Sequence, residues 1–169
     1  MNNLHEDIDF NHKQESLFKS IMEFYKTNNY CTVFLSGNPG QGKSYFSYIM
    51  AHKMGCYLSD GYNPTEPGTF LNMYYNRAKN ISATKPLIIM MDEVDIIIEK
   101  VHNNKISSHK KLKTEIYDKI TWNGVFDKVG YGLFPFIIVV MTSNKDKTYI
   151  DNMDPCYLRN GRVNVVENW

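Results

Sequence analysis

Gly37-Asn38-Pro39-Gly40-Gln41-Gly42-Lys43-Ser44 decides how this chain reads. The eight residues fit G-x-x-x-x-G-K-[ST], a pattern whose composition is set by phosphate chemistry. Its glycines let the backbone turn tightly, so that successive N–H groups converge on an anion. A helix starting where the turn ends adds the positive end of its dipole at the same point. The Lys43 ammonium reaches outer phosphates, and the Ser44 hydroxyl is a ligand for Mg²⁺. The pattern carries this meaning only between a strand and a helix. The flanks supply both: Cys31–Ser36 (CTVFLS) reads as a buried strand and Lys43–Lys53 as a helix.

Further along, Pro86–Met91 is a continuous apolar run, as expected of a central parallel strand covered on both faces. It ends in Asp92-Glu93. A carboxylate at a strand's C-terminal end sits beside a nucleotide bound at the sheet edge. Asp92 is therefore expected to hold Mg²⁺, and Glu93 to polarise the water that attacks the γ-phosphate. The plainer reading is a strand ending in solvated acids. Asp95 reads as a helix-start or structural residue. A second apolar run, Phe136–Met141, exits into Thr142-Ser143-Asn144. Asn144 is the best placed of the three to hydrogen-bond the attacking water or the γ-phosphate, unless the trio only caps a turn. Arg159 and Arg162 then fall on a short turn split by Asn160-Gly161. That placement suits cations offered outward to a phosphate, or surface ion pairs.

The remaining segments read as follows. Gln14–Lys26 and Thr69–Asn80 have helical spacing, and Lys110–Val125 does too, interrupted near Gly124. Cys56–Ser59 and Val163–Val166 are short strands, Asp60–Gly68 is turn-rich, and Pro155–Arg159 is one helical turn. Strands alternating with helices predict a single α/β domain over 1–169 with a mostly parallel sheet. The charge balance, 19 Lys+Arg against 18 Asp+Glu in 169 residues, gives no global pull toward nucleic acid or membrane. No apolar run approaches the roughly 20 residues a membrane span needs. Met1–Phe10 lacks the apolar core of a secretory signal. Three cysteines, far apart and without C-x-x-C spacing, argue against disulfides and a zinc site. A cytoplasmic or otherwise intracellular, soluble protein is the expectation.

Taken together, GNPGQGKS, IIMMDE, TSN and MDPCYLRNGRV resemble the AAA+ ATPases, in the clade that carries the second region of homology, over about Asp9 to Val166. Gly161-Arg162-Val163 and the lead-in from Phe24-Tyr25 to Gly37 are most similar to the Bcs1-like branch, whose N-terminal membrane segment has no counterpart here. The resemblance implies a three-layer P-loop NTPase fold: a five-stranded, mostly parallel sheet in the order 5-1-4-3-2, flanked by helices and preceded by a linker at 1–13. It implies ATP and Mg²⁺ as cofactors. Gly37, Asn38, Pro39, Gly40, Gln41, Gly42, Lys43, Ser44 and Tyr45 would bind the nucleotide, and Ser44 and Asp92 the metal. Glu93, Lys43 and Asn144 would be catalytic, as would Arg159 and Arg162, two fingers acting in trans on the nucleotide of a neighbouring subunit. Hydrolysis would then depend on a homo-oligomer, usually a hexameric ring, and would drive remodelling or translocation of a protein or nucleic-acid client. Asn38 and Gln41 depart from the usual Pro and Thr, at positions whose side chains do not contact phosphate.

The resemblance also places two pore-lining loops. One is Asp60–Gly68 with Tyr62, either a polymer grip or an ordinary loop aromatic. The other is Val101–Lys113 with Lys105, Lys110, Lys111 and Lys113, either a nucleic-acid contact or a solvated face. The chain stops at Trp169, before the family's helical lid, so an excised large subdomain is expected. That raises a second reading, a nucleotide-dependent oligomerisation switch with negligible hydrolysis. A small-molecule P-loop kinase fits less well, because of the paired arginines and paired acids.

Overall fold

A computed structural model describes residues 9–169. Residues 1–8, most of the expected linker, lie outside the described part. The chain forms α1 (His12–Asn28), β1 (Tyr30–Ser36), α2 (Lys43–Met54), β2 (Leu58–Ser59), α3 (Leu71–Arg77), β3 (Leu87–Met91), α4 (Val94–His102), α5 (Lys119–Gly130), β4 (Ile137–Ser143), α6 (Lys147–Met153) and β5 (Val165–Asn168). The strands make one sheet in the order β2-β3-β4-β1-β5, every pair parallel. Read from the other edge, this is the expected 5-1-4-3-2.

Side-chain parity along the strands builds three layers. Ile137, Val139 and Met141 of β4 join Leu87, Ile89 and Met91 of β3 on one face, under α4 and α5. Ile138 and Val140 join Val33, Leu35 and Ile88 on the other, under α1 and α2. Because both faces are covered, the central strands are apolar at nearly every position. Each fully buried Val, Leu or Ile contributes about 1.5–3 kcal/mol. Trp122 of α5 is among the largest fully buried side chains.

Several boundaries follow from caps rather than periodicity. Asn11 and Gln14 form a capping box, each side chain accepting from the other's backbone N–H, so α1 starts at His12 inside the expected linker. The helix expected over Lys110–Val125 instead starts at Lys119, where Asp118 and Thr121 form a second capping box, and runs through Gly124 to Gly130. The lysine-rich residues before it are drawn into loop pairing: Gly68 N–H donates to Lys113 O (2.8 Å) and Ile116 N–H to Pro64 O (2.9 Å). Two helices lie outside the expected spans, although the reading of Asp95 as a helix start agrees with the first of them. Helix α4 buries Val94, Ile97, Ile98 and Val101, and α6 is capped by Asp146. Pro155–Arg159 forms turns rather than a helical turn, and β5 begins two residues later than expected.

Tyr62 is 3 % exposed and donates to the half-buried Glu115 carboxylate at 2.7 Å. It is a core aromatic that ties the first expected pore loop to Glu115, two residues past the end of the second. Burial pushes both the Tyr62 hydroxyl and the Glu115 carboxyl up from their ordinary values. No described helix is long and apolar enough to cross a membrane.

Candidate functional site

The C-terminal ends of β1, β3 and β4 open on one cleft of about 390 Å³, lined by Pro39, Gly40, Gly42–Tyr45, Asp92, Glu93 and Thr142–Asn144. This is where parallel α/β sheets bind ligands, because the loops that leave the strands diverge there. Gly42 caps α2 with φ 80°, a left-handed conformation that a residue with a Cβ adopts only under strain. That turn aims the start of α2 at the cleft.

Lys43 is only 7 % exposed, yet its ammonium sits at the cleft. It donates to Gly37 O (2.8 Å), Asn38 O (2.9 Å) and Asn144 Oδ1 (3.1 Å). Burial pushes the ammonium below its ordinary value, while the Asp92 and Asp95 carboxylates pull the other way. Ser44 Oγ donates to Asp92 Oδ1 at 2.7 Å. Thr142 Oγ1 donates to the same oxygen and accepts from Glu93 N–H at 3.3 Å. Glu93 lies at φ 51°, ψ 46°, a left-handed turn that costs a non-glycine residue roughly 1–2 kcal/mol. The turn ends β3, starts α4 and leaves the Glu93 side chain exposed on the cleft wall. Asp95, buried in the first turn of α4, accepts from Asn144 N–H at 3.4 Å. Ser143 shapes the following turn through bonds to both backbone groups of Lys145.

Lys43, Ser44, Asp92, Glu93 and Asn144 therefore meet in one place. Pro39, Gly40, Gly42 and Tyr45 line the same cleft. Gly37 is at its root, bonded through its N–H to Ser143 O. Asn38 joins through its carbonyl. Gln41 does not line the cleft; a Cβ on Gly37 would meet its Oε1 at 2.5 Å.

The two arginines lie elsewhere. Arg162 is 5 % exposed and faces inward, against the expectation that both arginines point out. Its guanidinium forks onto Asp127 (Nε–Oδ1 2.7 Å, Nη2–Oδ2 3.1 Å) and also reaches Asn123 Oδ1 and Cys156 O. Arg159 remains more than half exposed and makes one bond, to Asp127 Oδ1 at 3.1 Å. Hydrogen bonds from Arg162, then from Arg159, hold the Asp127 carboxyl below its ordinary value against the effect of burial. Sequence reasoning missed Asp127, Asn123 and the buried role of Asp95. It named Thr142 only as a neighbour of Asn144.

A glycine-rich strand-to-helix loop, a lysine at its exit and an acid pair on the next-but-one strand define a P-loop nucleotide-binding α/β protein. Residues 33–168 match the ATPase family associated with various cellular activities (AAA), and the chain belongs to that family. A search of curated proteins returned no match. Nucleotide binding and ATPase activity are what membership brings.

Proposed function

We propose that this cleft binds Mg·ATP and that the chain hydrolyses it. The observation that carries the reading is the Lys43–Asn144 hydrogen bond at 3.1 Å beside the Ser44–Asp92 bond at 2.7 Å. Three segments distant in sequence thereby present an ammonium, a hydroxyl, two carboxylates and an amide to one small space. In this reading the loop N–H groups and Lys43 cradle the phosphates. Glu93 accepts the proton of the attacking water, and Asn144 orients that water or the terminal phosphate.

The donors suit magnesium. Ser44 and Asp92 are hard oxygen ligands, and no group of three or more His, Cys, Asp or Glu among the described residues forms a metal cage. Magnesium is ordinarily held by one or two such groups together with substrate phosphates and water. Bound there, it would supply charge neutralisation for the phosphates.

Arg159, exposed and clear of its own cleft, is the arginine suited to act on a neighbouring subunit's nucleotide. A finger of that kind is worth about 10³–10⁵ in rate, or roughly 4–7 kcal/mol of barrier. We take Arg162 as the residue that holds Arg159's turn in place. Work on a protein or nucleic-acid client, with ATP driving assembly of a ring, completes the proposal.

The test is direct. K43A should abolish ATP binding and turnover. E93Q should still bind ATP while turnover falls by about 10²–10⁴. Unchanged turnover in both variants would refute the reading.

A further inference from the structure

Thr142 is 2 % exposed, the penultimate residue of β4, and its one hydroxyl donates to the Asp92 carboxylate and accepts from the Glu93 backbone N–H, just past the end of β3. Two details separate it from an ordinary buried hydrogen bond. First, Ser44 and Thr142 both donate to Asp92 Oδ1. Asp92 Oδ2 receives no donor among the described residues and stays available at the cleft. Second, the amide Thr142 accepts is that of Glu93, whose left-handed turn needs an outside partner to hold it. A carboxylate that must present one chosen oxygen, and a strained peptide that must present one carboxylate, are thus fastened by the same atom.

We infer that Thr142 is a positioning residue for magnesium binding and for hydrolysis. Its hydroxyl occupies Asp92 Oδ1, which leaves Oδ2 free as the oxygen that would hold the ion, and it clamps the peptide that aims Glu93. The inference deepens the Mg·ATP reading above and rests on it. It names a role for this chain's own β4 side chain that Lys43, Asn144 and the loop do not perform.

Two variants of the full 169-residue chain test it. T142V keeps the shape of the side chain and loses the hydroxyl; T142S keeps the hydroxyl. A fluorescent ATP analogue is titrated first in a chelator and then with increasing Mg²⁺, and kcat and KM for ATP are measured separately. Without metal, T142V should bind the analogue within about twofold of the natural chain, because the loop amides and Lys43 are untouched. Its Mg²⁺ half-saturation should rise about 10–100-fold, the usual cost of losing a partner that orients a ligand. The defect in turnover should fall on kcat more than on KM. T142S should bring both back to within about threefold of the natural chain.

Three results would overturn the inference. T142V could match the natural chain in Mg²⁺ half-saturation and kcat. T142S could be as impaired as T142V. T142V could lose metal-free binding as well, which would make the hydroxyl a general support of the fold. A natural chain that neither binds nor hydrolyses ATP would instead remove the parent reading, and that is visible before any variant is made.

Discussion

Removing the Asp127 carboxylate with D127A tests the assignment of Arg162 as a residue of the fold. The guanidinium is almost wholly buried and its charge is answered by Asp127 through two bonds, with a third from Arg159. Breaking a fully buried pair on one side costs about 3–5 kcal/mol, because a desolvated charge is left behind. Two features lower that figure here. Asp127 itself is a quarter exposed, so water already screens part of the attraction. Arg162 also keeps two neutral acceptors, Asn123 Oδ1 at 2.6 Å and Cys156 O at 2.5 Å. The expected loss is therefore about 2–3 kcal/mol. For a domain of this size that is roughly 5–10 °C in the thermal midpoint. Circular-dichroism melts and urea titrations of D127A, R162A and the double variant measure it. The two single losses should be similar, and the double variant should be little worse than either, since each change removes the same contact. Additive losses, or a D127A midpoint within about 1 °C of the natural chain, would show that Arg162 is not held as described.

Two further predictions concern stability. G130A should destabilise by about 1–3 kcal/mol in urea titrations, although alanine ordinarily favours a helix. The new Cβ would stand 2.2 Å from Gly161 O, a backbone atom that cannot step aside, and overpacking of that kind reverses the propensity gain. Acid should also weaken the fold. Hydrogen bonds from Lys119 hold the Asp154 carboxyl down at about 2, and those from Arg162 and Arg159 lower Asp127. For depressed carboxyls the stabilisation is present above the unfolded value near 3.8 and lost as pH falls through the folded one. Melting midpoints should therefore drop between about pH 4 and pH 2, and less steeply in D154N.

Much of this architecture is legible in the amino-acid sequence alone. Lys43, Ser44, Asp92 and Asn144 each sit where a motif of fixed chemistry meets a strand end, so local sequence carries their positions. The apolar runs of β3 and β4 are buried on both faces and announce themselves. Helix α4 is equally legible, since Val94, Ile97, Ile98 and Val101 keep helical spacing right after the acid pair. The lysines at 110–113 misled for a different reason. Lysine suits a helix, yet backbone bonds to residues 64 and 68 hold the segment in a loop, and the cap at Asp118 sets the true start. Long-range pairing was beyond reach. Nothing near Arg162 reveals that a carboxylate at position 127 turns it inward, or that Glu115 waits for Tyr62.

The two-sided burial of β3 and β4 has a consequence for what fixes their alignment. In a sheet with one wet face, slipping a strand by one residue drives apolar groups into water, and burial itself corrects the error. Here Ile137 through Met141 are apolar on both sides, so a one-step slide trades one greasy neighbour for another. What such a slide would spoil is the strand's tip: Thr142 and Asn144 would travel about 3.3 Å and change faces. Turnover, more than melting temperature, is then the sensitive gauge of whether these strands are in step.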